Sequence, residues 1–136
     1  MKKVLSQLLV LFLVAGLATS QTKNTPIPEG KTVTDGSNAR SPLKFLKSDY
    51  SNDGAKNSII YMSATVQNTS KTVELKDVHI RLNVLDGNNV TLMVYESPAY
   101  TLKPGASQEY SPGRAVNHLG VTLHLKPSAY HDPVTP

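Results

Sequence analysis

Apolar residues recur at every second position in four separate stretches of this 136-residue chain, and no stretch sustains the 3.6-residue apolar period of a helix. Ile60, Met62, Ala64 and Val66 form one row, with Tyr61, Ser63, Thr65 and Gln67 between them. Val78, Ile80, Leu82 and Val84 form a second, against His79, Arg81 and Asn83. Val90, Leu92 and Val94 make a third, and Val121, Leu123 and Leu125 a fourth, opposed by Thr122, His124 and Lys126. Successive side chains of a strand point to opposite faces, so this alternation marks strands with one dry and one wet side. Leu43 to Ser48 and Ala106 to Tyr110 add two further strand segments. Asn52-Asp53-Gly54, Asn68-Thr69-Ser70, Asp86-Gly87-Asn88-Asn89, Lys103-Pro104-Gly105 and Ser111-Pro112-Gly113 supply turns between them. Six or seven short strands with turn signals between them predict an all-β fold, an antiparallel sandwich. The chain has no cysteine. That excludes a disulfide scaffold, a cysteine zinc site and lipid anchoring through an N-terminal cysteine, and it leaves stability to the apolar rows.

The first twenty residues have the layout of an export signal: Lys2 and Lys3, an apolar run from Leu8 to Ala18, then small residues before Gln21. The run is too short for a spanning helix, which needs about 20 apolar residues, so no membrane anchor is expected after cleavage. The protein is expected in a periplasm or outside the cell. Whole-chain charge is +4, with 14 basic and 10 acidic residues. Losing Lys2 and Lys3 halves that charge to +2, so the pI near 9.3 describes the precursor more than the mature protein. The remaining basic residues are dispersed among acids, which speaks against a nucleic-acid partner. Residues 21–41, rich in Thr, Pro, Gly, Asn and Ser, read as a flexible leader with some extended structure near Thr32-Val33-Thr34. Residues 42–126 read as the β-sandwich domain, and 127–136, with three prolines, as an irregular tail.

Ala64-Thr65-Val66-Gln67-Asn68, Leu82-Asn83-Val84-Leu85-Asp86-Gly87 and Leu102-Lys103-Pro104-Gly105 stand in the order and spacing of three elements of the FxLYD domain. Over about 43–126 the chain therefore resembles that family, with alanine for glycine in the first element and leucine for both aromatics in the second. The resemblance implies a small immunoglobulin-like β-sandwich of an exported prokaryotic protein, and it implies no catalytic residues. The same residues have a direct physical reading. Asn68 ends a strand and can bond its own turn, Asp86-Gly87 offers an acceptor and a residue free to take positive φ, and Pro104-Gly105 forces a reversal.

Three sets of residues carry possible chemistry. Asp49, Ser51 and Asp53, followed by Gly54, imitate the first half of a calcium loop, but Ile60 stands where the bidentate acid should be. His79 and His124 both fall on outward faces and would meet if their strands were neighbours. With Met62 inward and Met93 opposite Leu92 as a possible soft ligand, that pair is the basis for an alternative reading as a periplasmic copper-binding protein. No His-x-His or His-x-x-x-His spacing supports it locally, and no cofactor is expected. The third set concerns protein binding. Tyr61 and Tyr95 lie opposite the core rows, where tyrosine gives contact area and a polar tip. Arg114, Val116 and His118 share a loop between glycines, part of which could form a short edge strand from Ala115 to Leu119. No nucleophile elbow, Ser-x-x-Lys, His-Glu-x-x-His or phosphate-loop motif is present. The expectation is an exported, non-enzymatic module that binds another envelope or extracellular protein through a sheet edge or loop end.

Overall fold

A computed structural model describes residues 26–35, 41–52, 59–116 and 123–135. Residues 1–20, Asp53, His118 and Val121, which carry the export signal and parts of the calcium, binding-loop and fourth-row readings, lie outside them. The described residues form nine strands and no helix: β1 (Thr32–Thr34), β2 (Leu43–Asn52), β3 (Ile59–Asn68), β4 (Leu75–Leu85), β5 (Thr91–Glu96), β6 (Tyr100–Leu102), β7 (Ser107–Tyr110), β8 (Arg114–Val116) and β9 (His124–His131). They make two antiparallel sheets. One runs β1-β9-β4-β5, with β6 pairing β4 beyond the end of β5. The other runs β2-β3-β7, with β8 pairing β3 beyond the end of β7. Each sheet thus has an edge strand interrupted by a Ser-Pro, at Ser97-Pro98 and at Ser111-Pro112. Proline has no N–H for a ladder and breaks pairing at that point.

The two sheets face each other across one apolar core. Met62, Ala64 and Val66 of β3 meet Val78, Ile80, Leu82 and Val84 of β4, with Leu43, Leu75, Leu102, Leu123 and Ala129 closing the sides. The described side chains of the first two alternating rows, Met62, Ala64 and Val66 and Val78, Ile80, Leu82 and Val84, are therefore core residues, as their parity predicts. Their strands are rich in β-branched residues, which suit a pleated, half-buried surface. The third row is a correction. Register places Met93 opposite Val84 and Tyr95 opposite Leu82, and directly opposed residues share a face. Met93 and Tyr95 are therefore the buried core residues of β5, Leu92 packs partly buried against the same core, Val94 lies on the other face, and Val90 is exposed. The segment Leu92-Met93-Val94-Tyr95 is apolar at both parities, so alternation alone could not choose between them.

The C-terminal end of the domain differs from expectation, whereas the extended structure expected near Thr32-Val33-Thr34 is present as β1. Strand β9 continues through Pro127 to His131, and Ala129, Tyr130 and His131 are buried. The irregular tail thus begins after His131. Pro127 fits because it lies at a register position opposite Leu82 and needs only to forgo one N–H. The leader contributes β1, which pairs β9 with Val33 opposite Tyr130. Ser41, at the leader's end, is fully buried.

Turn chemistry sets the registers. Lys103-Pro104-Gly105-Ala106 closes with an Ala106 N–H to Lys103 C=O bond of 3.0 Å, and Gly105 takes the φ of 79° that a type II turn requires at its third residue. In Asp86–Val90 the left-handed residue is Asn89 (φ 63°), and Gly87 is not at positive φ. The Asp86 carboxylate accepts from the Asn88 and Val90 N–H groups at 2.8 and 3.0 Å. Asn68 is wholly buried and joins three segments: its amide donates to Val73 C=O (2.7 Å) and Leu102 C=O (3.0 Å), and its oxygen accepts from Ser70 N–H (3.0 Å).

Candidate functional site: the open sheet

The two sheets treat their outer faces differently. On the β1-β9-β4-β5 sheet the outer face is covered by its own side chains. Tyr130 stacks on His79, with ring centroids 4.8 Å apart and planes within 14°. The Glu96 carboxylate lies near the Tyr130 hydroxyl, and Arg81 pairs with Glu96 at 3.6 Å. Burial, then the Glu96 carboxylate, pushes the Tyr130 phenol up to about 12. Val94 and Arg81 are buried on this same face.

Beside this face the ends of the domain are tied together. Asp77 sits in a β4 bulge at φ 53°, a backbone region aspartate tolerates better than most residues. There its carboxylate accepts from Lys31 Nζ and from His79 Nε2 (3.1 Å), and Lys31 also donates to Asp132. The Lys31 ammonium, then the His79 ring, holds the Asp77 carboxyl below the usual carboxylate range. Deeper in, Ser41 Oγ lies 2.8 Å from His131 Nε2, and His131 Nδ1–H donates to the Asp132 carbonyl at 2.6 Å. Because a carbonyl only accepts, that bond leaves Nε2 as the acceptor for the Ser41 hydroxyl in the neutral ring. Ser41 Oγ in turn accepts from Leu43 N–H at 3.1 Å. The pair has the contact of a nucleophile and base, but both residues are sealed from solvent. Burial holds the His131 imidazole below its ordinary pKa. Ninety residues separate Ser41 from His131, and no local spacing signal could have linked them.

Among the described residues the β2-β3-β7 sheet is open on its outer face. Its outer face carries Lys47, Asp49 and Ser51 on β2, Tyr61, Ser63, Thr65 and Gln67 on β3, and Ser107 and Glu109 on β7. Tyr61 is 48% exposed. A shallow cavity of about 340 Å³ is lined by Asp49, Ser51, Tyr61, Ser63 and Ser111, among others. Ser51, Tyr61 and Arg114 occupy one cross-strand row, and Val116 pairs with Ile59 at the end of β8. Residues assigned separately to calcium and to protein binding therefore share one surface. Among the described residues β2 has a strand partner, β3, on one side only.

The remaining expectations divide by geometry. Asp49 and Ser51 are in an extended strand paired with Ser63 and Tyr61, and Asp53, the third residue of the calcium reading, lies outside the described residues. His79 and His124 do lie on one face of neighbouring strands, but His79 is opposite Tyr130 and His124 opposite Leu85. Six strand positions, about 20 Å, separate them. Both His79 nitrogens are hydrogen-bonded, to Ser97 C=O (3.0 Å) and Asp77, and His124 bonds Asn89 Oδ1 at 3.0 Å. Met62 and Met93 are core residues, out of reach as surface ligands. No group of three His, Cys, Asp or Glu able to hold a metal occurs among the described residues. Tyr95 is also a core residue, with its hydroxyl 3.6 Å from Met93 Sδ, and belongs to no binding face. A short edge strand does form in the glycine-flanked loop, at Arg114–Val116. Comparisons with protein-family models, with curated proteins and with solved structures found no match.

Proposed function

We propose that this chain is an exported, non-enzymatic immunoglobulin-like module that binds a protein partner through its β2-β3-β7 sheet. The observation that carries the reading is the open β2 edge beside the hydroxyl-rich face of Tyr61, in a molecule whose other outer face is covered by its own residues. The sequence features of 1–20 support export, and the resemblance to the FxLYD domain supports the immunoglobulin-like assignment. Strand pairing supports it as well. If β2, β3 and β7/β8 take the places of immunoglobulin strands A, B and E, then β4, β5/β6 and β9 take those of C, C′ and F. The N-terminal β1 then stands in the place of G. An extended segment added along β2 would gain main-chain hydrogen bonds, and alternate side chains would rest on the outer face.

The test is retention of envelope proteins by the purified mature chain. Wild type should retain a defined partner. Tyr61→Asp should cut that retention about tenfold, a loss of about 1.4 kcal/mol. Lys126→Asp, on the other sheet, should not. A wild-type chain that retains neither another envelope protein nor a further copy of itself, or equal loss in both variants, overturns the reading.

A further inference from the structure

We infer that the partner of the β2 edge is a second copy of this chain, paired antiparallel about Ser48. This rests on the reading of that sheet as an interaction surface and names its occupant. Lys47 and Asp49 flank Ser48 on the outer face, with side chains 59% and 68% exposed. They lie 3.8 Å apart within the strand, a loose exposed pair that can exchange partners at little cost. An antiparallel partner centred on Ser48 sets Lys47 opposite Asp49 of the second copy and Asp49 opposite its Lys47. Two opposite-charge pairs then form on one face, each stabilising the ladder. Centring on Lys47 would oppose two lysines, and centring on Asp49 two aspartates, both unfavourable.

The exposed, small Ser48 lies on the two-fold axis and offers no bulk to keep the strands apart. Leu46, the extra residue of the bulge between Phe45 and Lys47, is 55% exposed. In this register it comes opposite Tyr50 of the second copy. Edge lysines and a bulge ordinarily deter foreign strands. Here they deter any strand without an acid at the matching position, and the chain's own β2 carries one. The contact is isologous, so it closes at a dimer and does not propagate.

Sedimentation equilibrium of the mature chain at concentrations up to about 1 mM tests the pairing. Wild type should dimerise. Lys47→Asp, which opposes like charges at both pairs, should raise the dissociation constant at least about tenfold, and Lys47→Asp with Asp49→Lys should restore it. Because the chain has no cysteine, Ser48→Cys should give a disulfide-linked dimer under mild oxidation. Ser51→Cys, about 20 Å from its own copy in this register, should not. A monomeric wild type, an unchanged Lys47→Asp dimer, or equal crosslinking at 48 and 51 overturns the inference. A monomer that still retains an envelope partner through Tyr61 would refute the dimer and leave the interaction module standing.

Discussion

The two edges reached from the N-terminal half of the domain lie on opposite sheets and are finished in opposite ways. At β9 the edge is closed by β1, tied by Lys31 to Asp77 and Asp132, and backed by the buried Ser41–His131 pair. At β2 a ten-residue strand faces outward with Lys47, Leu46 and Asp49 exposed. The difference shows where polar groups contribute to stability. At the closed edge they are shielded and satisfy one another, so removing one leaves its partner stranded. At the open edge water satisfies each group, so removal costs the monomer little and matters only to a partner.

Substitution at His131 should give the largest effect. His131→Ala empties a fully buried site and strands Ser41, and should lower unfolding free energy by about 2–4 kcal/mol in a denaturant titration. Acid should reach the same region. Between the ordinary imidazole pKa and the lowered native one, the unfolded state binds a proton that the native state does not. Stability should therefore fall as pH drops through that window, by at most about 1.4 kcal/mol per pH unit, and the wild-type excess slope should vanish in His131→Ala.

Alkali probes the covered face above. An unfolded tyrosine ionises near pH 10, whereas Tyr130 ionises at about 12. Stability should decline as pH rises between those values, and the late phenolate absorbance, to which Tyr50 and Tyr110 also contribute through burial, should move to lower pH in Glu96→Gln. Lys31→Met should act locally: amide exchange at Thr32–Thr34 should quicken while β2–β3 amides keep their rates. The smallest effect belongs to the open edge. Leu46→Ala should shift monomer stability by no more than about 0.5 kcal/mol. A loss there as large as that of His131→Ala would erase the contrast between the edges.

Much of the architecture is legible in the sequence because a strand's face is set by parity. Val78, Ile80, Leu82 and Val84 are all core residues, and His79, Arg81 and Asn83 separate each from the next, with Arg81 buried on the covered outer face. Where both parities are apolar, as in β5, the signal vanishes, and the register imposed by the Asp86–Val90 turn decides. The ends were harder to read. Proline content marks Pro127 as a breaker, yet burial of Ala129 and His131 and pairing with both β4 and β1 carry β9 through it. The candidate surface was half legible. Tyr61 is outward by parity, but its neighbours Asp49 and Ser51 resemble ion ligands until β2 is seen to be extended.

The strand class, the two principal core rows and the turn residues are local properties of the chain, because each follows from dihedral preferences and a two-residue period. Which outer face is covered and which is exposed follows from the assembled sheets. Ser41 meeting His131, Lys31 reaching Asp77, and His79 lying six positions from His124 all depend on which strands become neighbours, and long-range pairing has no local signature in the chain.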